Sequence, residues 1–455
     1  MPTDSAIRPN FLVVVLDDVR FDDLGFAGHP FVQTPSFDRV ANEGVQFTNA
    51  FAAIPLCSPN RASILTGQYP HSHGVIDNTD RSPLSHQLLT FPRLLRRVGY
   101  ETAFFGKWHM GLDASPRPGF DEWLSFRGQG TYFDPPVNEN GQRRELRGYA
   151  SDLFSDRVAE FIRRGRDRPF LAYLSHKAVH PELFQDADGS IQHIPEDGGF
   201  RPPQRLRRMY EDESVPRRPN TRSYGAGKRA LQRRIPGVPP LGPGTGTPDQ
   251  VVRDRLRILT AADQAFANVL CALEETGQAG NTLVLLTSDH GYFYGEHGLN
   301  EERRLAYEES IRVPLAVRWP QRVAAGREVS GLAVSVDIAP TLLRLAGAEP
   351  PPDIHGRSLI PLLEGPTPSD WRRSVLVEYF SDSVWPRMSS MGYQAVRTAR
   401  WKYIRYTELA GMDEVYDLRN DPYELRNLND APGISAKRAE LQAELMRLLD
   451  GSDDS

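Results

Sequence analysis

Cysteine is nearly absent from this 455-residue chain, which holds only Cys57 and Cys271. Two thiols cannot build a disulfide framework, and at most one bridge is open to them. No apolar run is long enough to cross a bilayer. Residues 1–10 lead into the apolar segment 11–16 without the basic flank or cleavage site of a signal peptide. No sign of charge dominates: 54 Lys and Arg face 59 Asp and Glu, a formal net charge of −5, which gives no general reason to expect nucleic acid as a partner. Internal repeats and coiled-coil heptads are missing as well. What is left is a hydrophobic fraction of 39% and a charged fraction of 25%, those of a soluble globular protein. The expected location is cytoplasmic, or periplasmic or secreted if a leader was removed, with no membrane partner. The length admits two or three domains, or one large core with an appendage.

Four short apolar runs each lead into chemically capable residues. Residues 11–16 end in Asp17-Asp18, and 102–105 run into Gly106-Lys107-Trp108-His109. Residues 170–174 lead to Ser175-His176-Lys177-Ala178-Val179-His180, and 282–287 to Ser288-Asp289-His290-Gly291. Such continuous apolar runs read as strands buried on both faces of a parallel sheet. Helical patterns at 91–98, 151–164 and 251–275 lie between them, so the fold class is α/β. In such sheets ligands sit at the carboxyl ends of strands, where all four polar clusters fall. One composite active site is the simplest reading.

Residues 186–248 form an irregular insertion rich in Pro, Gly and Arg, including Arg205, Arg207, Arg208, Arg217, Arg218, Arg229, Arg233 and Arg234. It reads either as a solvated loop region covering the sheet edge or as a cationic rim facing an anionic substrate. Past residue 365 the pattern changes to short strands at 374–380, 394–397, 402–406 and 414–418, closed by a helix at 434–449. The expected division is a catalytic domain over 1–365 and a C-terminal subdomain with an antiparallel sheet over 366–455.

The most informative segment is Cys57-Ser58-Pro59-Asn60-Arg61-Ala62-Ser63-Ile64-Leu65-Thr66-Gly67. Pro59 suits the first turn of a helix and Gly67 its end. Cys57 then lies at the positive end of that helix, with Arg61 one turn on. A buried structural cysteine and a reactive one are both compatible with that placement. Asp17-Asp18 and Asp289-His290 can meet around a metal, because adjacent carboxylates are easiest to explain by a shared cation. A hard ion, Ca²⁺ or Mg²⁺, suits three carboxylates better than Zn²⁺. Taken singly, an Asp at a strand end is as well read as a cap or turn residue. Lys107 and His109 are two apart, so an extended backbone presents them on one side.

In this order, Asp-Asp, Cys-x-Pro-x-Arg, Gly-Lys-Trp-His and Ser-Asp-His-Gly resemble the type I formylglycine-dependent sulfatases of the alkaline-phosphatase superfamily. Gly295-Glu296-His297-Gly298-Leu299 and the segment from Tyr307 to Pro314 are similar to that family too, so the resemblance covers nearly the whole chain. It implies a large mixed, mostly parallel sheet sandwiched by helices, with a smaller C-terminal α+β subdomain. It implies that a formylglycine-generating enzyme oxidises Cys57, and that Asp17, Asp18, Asp289, His290 and the modified Cys57 bind Ca²⁺, with Mg²⁺ second. Many relatives carry Asn where His290 stands.

By the same resemblance Arg61 and Lys107 hold the sulfate oxygens. His109 deprotonates the second hydroxyl of the formylglycine hydrate, and His180 protonates the leaving oxygen. His176 is a lesser candidate, for a supporting or substrate contact. Arg303 falls where relatives place a lysine on the bridging oxygen. An arginine does not give up a proton at neutral pH, so Arg303 acts electrostatically or another group such as Lys177 takes the lysine's part.

Residues 67–75 and 77–79 look most like glycan sulfatases, including N-acetylglucosamine-6-sulfatases, with 131–133 and 138–141 adding to the similarity. The expected substrate is a small-molecule or glycan sulfate ester, a carbohydrate 6-O-sulfate foremost. Aryl- or alkylsulfatase activity and phosphonate monoester or phosphodiester hydrolysis are the alternatives within the superfamily. A phosphatase or mutase would need two metals and more ligands, and a non-catalytic glycan binder would not need an intact Cys-x-Pro-x-Arg.

Overall fold

The structure is a computed structural model that describes residues 8–193, 195, 197–300, 302–382 and 384–451. Strand Asn10–Leu16 is buried along its whole length because it lies in the middle of a ten-stranded sheet. Across that sheet the strands run Arg327–Val329, Val45–Phe47, Leu315–Arg318, Thr282–Ser288, Asn10–Leu16, Phe170–Ser175, Glu101–Gly106, Glu122–Ser125, Pro136–Glu139 and Gln142–Glu145. The five from Thr282–Ser288 to Glu122–Ser125 are parallel; the flanking pairs are antiparallel apart from Arg327–Val329 with Val45–Phe47.

Side chains alternate between two cores. Leu12, Val14 and Leu16 face one with the helices Ala150–Arg163 and Asp249–Glu275; Phe11, Val13 and Val15 face the other with Ile64 and Leu65 of helix Cys57–Thr66. Each fully buried Val or Leu stabilises the fold by about 1.5–3 kcal/mol, which explains why polar residues of the central strands keep mostly to their ends. Contrary to the expectation that no stretch could span a bilayer, the segment Pro243–Glu275 is long and apolar enough, but 72% of its most apolar part is buried inside the protein. It packs as a core helix does.

In the C-terminal part, strands Ser374–Tyr379, Tyr393–Thr398, Trp401–Tyr406 and Glu414–Asp417 form an antiparallel sheet covered by helix Ser435–Leu449. A short hairpin, Phe184–Gln185 with Ile191–His193, leads into the insertion, which also holds a few helical turns. Several of its arginines are engaged with the protein, Arg205 with Asp152, Arg217 with Asp249, Arg218 with Asp22 and Glu309, and Arg229 with Asp430, while Arg207, Arg208 and Arg234 are exposed. Arg233 donates to the carbonyls of Ala230, Arg387 and Ser389. The insertion is a strap that joins the two sheets, and the engaged arginines do not form a free cationic rim.

Candidate active site

Four neighbouring parallel strands end at one level: Leu16 is in register with Ser288, Val15 with Ser175, and Ser175 with Gly106. The residues that follow them therefore converge. Gly106 is required at this rim, since its φ is 113° and a Cβ there would come within 1.9 Å of the Ser175 carbonyl oxygen. That close approach lets the Lys107 N–H donate to the same oxygen at 2.8 Å.

Helix Cys57–Thr66 points its first turn at this rim, with Pro59 inside that turn and Gly67 closing the helix at φ 73°. All ten of its residues are buried. The helix dipole adds positive potential at Cys57, whose sulfur lies 3.3 Å from Nε2 of His290. Burial opposes ionisation of the thiol, but Lys107 and His290 outweigh it and bring the pKa down to about 7. An electropositive setting of this kind marks a reactive cysteine.

Around Cys57 stand Asp17, Asp18, Asp289 and His290, all 0% exposed. Asp18, Cys57 and His290 present ligand atoms within 4.8 Å of one another, and so do Asp17, Cys57 and Asp289. Among the described residues Oδ2 of Asp18 and Oδ1 of Asp17, the latter 3.4 Å from Nη2 of Arg61, are buried without a hydrogen-bond partner, which is costly unless a further cation takes them. Nδ1 of His290 lies 2.9 Å from the Gly291 carbonyl and donates to it, so Nε2 is the atom that faces the cluster. Asp18 has φ 63°, and this left-handed turn accompanies an N–H bond to Oδ1 of Asp289 at 3.0 Å. The donor set fits a hard divalent ion.

Each carboxylate also has a cationic neighbour. Lys107 bonds Asp17, Arg303 Nε donates to Asp18 at 2.8 Å, and Arg61 bonds Oδ2 of Asp289 from Nε and Nη2 at 3.0 and 2.8 Å. Burial works against the Asp17 anion, yet Lys107 and Arg61 hold its carboxyl well below the usual range. Nη1 of Arg61 donates to the Lys107 carbonyl and to Oγ of Ser175, and Nη2 is 3.4 Å from Asp17. The guanidinium thus ties four strand ends together.

His109, with φ 56°, has Nε2 3.0 Å from Oε1 of Gln185. Its carbonyl accepts from Oγ of Ser58, beside Cys57. Nε2 of His180 lies 2.8 Å from Nη2 of Arg303, and Nδ1 lies 2.8 Å from the Pro181 carbonyl. Burial, then Lys107, Arg303 and Lys177, push the His180 pKa well down. Lys177 donates to the Pro181 carbonyl at 2.9 Å and sits over Tyr132; burial and Lys107 lower its pKa to about 7. His176 is wholly buried, and neither ring nitrogen has a hydrogen-bond partner among the described residues.

The structure thus joins Asp17, Asp18, Cys57, Arg61, Lys107, Asp289, His290, Arg303 and His180 through direct contacts, and reaches His109 through Ser58. It also recruits residues to which sequence patterns assigned no role: Ser175, Asn60, whose side chain donates to the Asp289 carbonyl, and Gln185; Asn78, from the segment likened to glycan sulfatases, accepts from the Ser58 N–H at 3.1 Å. Asn60 and Ser175 lie inside the quoted motifs; Gln185 carries no local signal. Asp77, Asn78 and Thr79 line a 350 Å³ cavity with Asp188, Gly189, Ser381 and Asp382. Residues 138–141 do not line it: Asn138 and Asn140 bond the backbone of Gly141 and Trp123 in an edge hairpin. They are turn residues, as their Asn-Gly pair allows.

A model of the sulfatase family matches residues 9–348, and the chain belongs to that family. Residues 295–451 match the C-terminal region of N-sulphoglucosamine sulphohydrolase. Within the family the chain is similar to an N-acetylglucosamine-6-O-sulfatase of Bacteroides thetaiotaomicron, with 34% identity over 97% of this chain and 86% of that one. It also resembles the solved structure of a protein in complex with its substrate D-glucosamine-2-N,6-O-disulfate. That likeness has a TM-score of 0.84 and 30% identity, covering 98% of this chain and 99% of that one. The phosphonate monoester hydrolase of Agrobacterium radiobacter shares the fold, with a TM-score of 0.75 at 24% identity over 97% and 96% of the two chains. The protein is a sulfuric ester hydrolase, and its family implies formylglycine and a divalent metal.

Proposed function

We propose that the protein hydrolyses the 6-O-sulfate ester of a sulfated carbohydrate, a hexosamine foremost, with Ca²⁺ as its metal. The observation that carries this reading is Cys57 at the first turn of a buried helix, set among Asp17, Asp18, Asp289 and His290. The named specificities of the relatives support the sugar. Cys57 is the position a formylglycine-generating enzyme would convert, and formylglycine supplies a nucleophilic hydroxyl as its aldehyde hydrate.

The chain's own residues do the rest. Asp17, Asp18, Asp289 and His290 would hold the ion, whose charge stabilises the transferring group. Lys107 and the helix N-terminus offer positive potential to the sulfate oxygens. Arg61 belongs with them in charge, but its bonds to Asp289, Ser175 and the Lys107 carbonyl make holding the rim its main task. His109 is the base toward position 57, and His180 with Arg303 faces the leaving oxygen. The division at residue 365 remains our reading of the domain organisation, supported by the separate antiparallel sheet.

The test is a panel of sulfated glycans, 4-nitrophenyl sulfate and a phosphonate monoester, run with calcium on protein whose position 57 has been checked for conversion by mass spectrometry. A 6-O-sulfated hexosamine should give the highest kcat/KM. Cys57→Ala should lose about 10⁶-fold in kcat, the scale of a lost nucleophile. Equal turnover by wild type and Cys57→Ala, or preference for the phosphonate, overturns the reading.

A further inference from the structure

We propose that Gln185 is a positioning residue that fixes His109 in its Nε2–H tautomer, leaving the Nδ1 lone pair as the base. This rests on the reading of His109 as a base at position 57. The amide of Gln185 is oriented by its neighbours. Its Nε2 lies 2.8 Å from the Gly189 carbonyl, which can only accept, so that atom is the NH₂ group. Oε1 is left facing Nε2 of His109 at 3.0 Å and Nε2 of Gln129 at 3.3 Å. An amide oxygen only accepts, so Nε2 of His109 must carry the proton.

The other nitrogen follows. Burial first, then Lys107, pushes the His109 pKa well down, so the ring is neutral and Nδ1 is unprotonated. Nδ1 is buried and has no hydrogen-bond partner among the described residues, which leaves its lone pair free for an incoming proton. The charged groups acting on the ring are Lys107, Asp17 and Arg61, and none of them bonds it among the hydrogen bonds described. The contact that selects the tautomer is the one to Gln185.

Gln185 is itself held firmly. It lies in the hairpin of Phe184–Gln185 with Ile191–His193, and that hairpin docks on the site through the Asp80 N–H to the Ala187 carbonyl at 2.7 Å. Asn78, two residues before Asp80, accepts from the Ser58 N–H in the catalytic helix. The start of the insertion is therefore part of the active-site wall.

The experiment compares wild type with Gln185→Leu and Gln185→Glu. Imidazole ring-nitrogen NMR is recorded on ¹⁵N-histidine protein still carrying the Cys57 thiol, and His109→Gln assigns the signal. Kinetics are measured on converted protein, with thermal melts to confirm folding. Wild type and Gln185→Glu should show protonated Nε2 and bare Nδ1; Gln185→Leu should show a tautomer mixture. Gln185→Leu should lose about 10²-fold in kcat, within the range of general-base catalysis, at nearly unchanged KM. Gln185→Glu, which keeps the acceptor but loses the donor to the Gly189 carbonyl, should recover part of that loss.

An Nδ1–H wild type, or a Gln185→Leu variant with unchanged tautomer and kcat, overturns the proposal. A converted wild type that hydrolyses no sulfate ester while its tautomer depends on Gln185 overturns the hydrolytic reading and leaves the positioning standing.

Discussion

Nη2 of Arg303 donates to Nε2 of His180 at 2.8 Å while Nε of the same guanidinium holds Asp18 at 2.8 Å. A guanidinium has no acceptor and keeps its protons, so His180 accepts, and its own proton sits on Nδ1 toward the Pro181 carbonyl. The leaving-group side therefore offers a fixed positive charge ahead of any proton, since His180 turns a lone pair to the guanidinium. A lysine would supply both from one atom.

That order separates substrates by leaving group. Arg303→Met should lose about 10²-fold in kcat/KM on a sugar sulfate, the scale of removing one charge-stabilising donor. On 4-nitrophenyl sulfate, whose leaving group needs little help, the loss should be under tenfold. Steady-state kinetics on both substrates check this, and equal losses would place Arg303 elsewhere in the cycle.

The orphaned oxygens of Asp17 and Asp18 predict a stability effect of metal. An ion binding only the folded protein stabilises it by about 2.7 kcal/mol at 100 times its Kd. Chelation should lower Tm by several degrees, calcium should restore it better than magnesium, and Asp18→Asn should abolish the difference. Calorimetry with and without chelator reads this without any turnover.

Asp263, on the long core helix, accepts from the Phe37 N–H at 2.7 Å, and burial raises its pKa to about 7. A carboxyl raised above its unfolded value of 3.8 adds stability that is full below that value and lost as pH rises through 7. Asp263→Asn keeps the acceptor without the charge. It should raise Tm at pH 8 relative to wild type and make a smaller gain at pH 5, as melts at the two pH values will show.

Arg233 bonds three carbonyls that belong to the insertion and to the segment following strand Ser374–Tyr379. Hydrogen bonds from a charged donor contribute about 1.5–3 kcal/mol each at most. Arg233→Ala should lower the denaturation midpoint and leave KM for a sulfated substrate unchanged. A raised KM would instead restore the cationic-rim reading of the insertion.

Much of the site was legible because its residues follow strands. Asp17, Lys107, His176 and Asp289 each come directly after a parallel strand, so recognising the strand located the residue. Helices 91–98, 151–164 and 251–275 and the four C-terminal strands were placed within two residues at either end. Helix Cys57–Thr66 is buried on every side, so amphipathic periodicity could not reveal it, and its Pro59 and Gly67 did. The role of 186–248 was not legible, because a paired arginine and a free one look alike in sequence.

Sequence by itself determined the reagents: a cysteine at a helix start, three carboxylates and their order along the chain. Those are local properties, set by residue type and by the residues a few places away. Tertiary structure decided how the reagents act on one another. The contact of Arg303 with His180 spans 123 positions and that of His109 with Gln185 spans 76. Which nitrogen of an imidazole carries the proton depends on the group placed opposite it, and only the folded chain places that group.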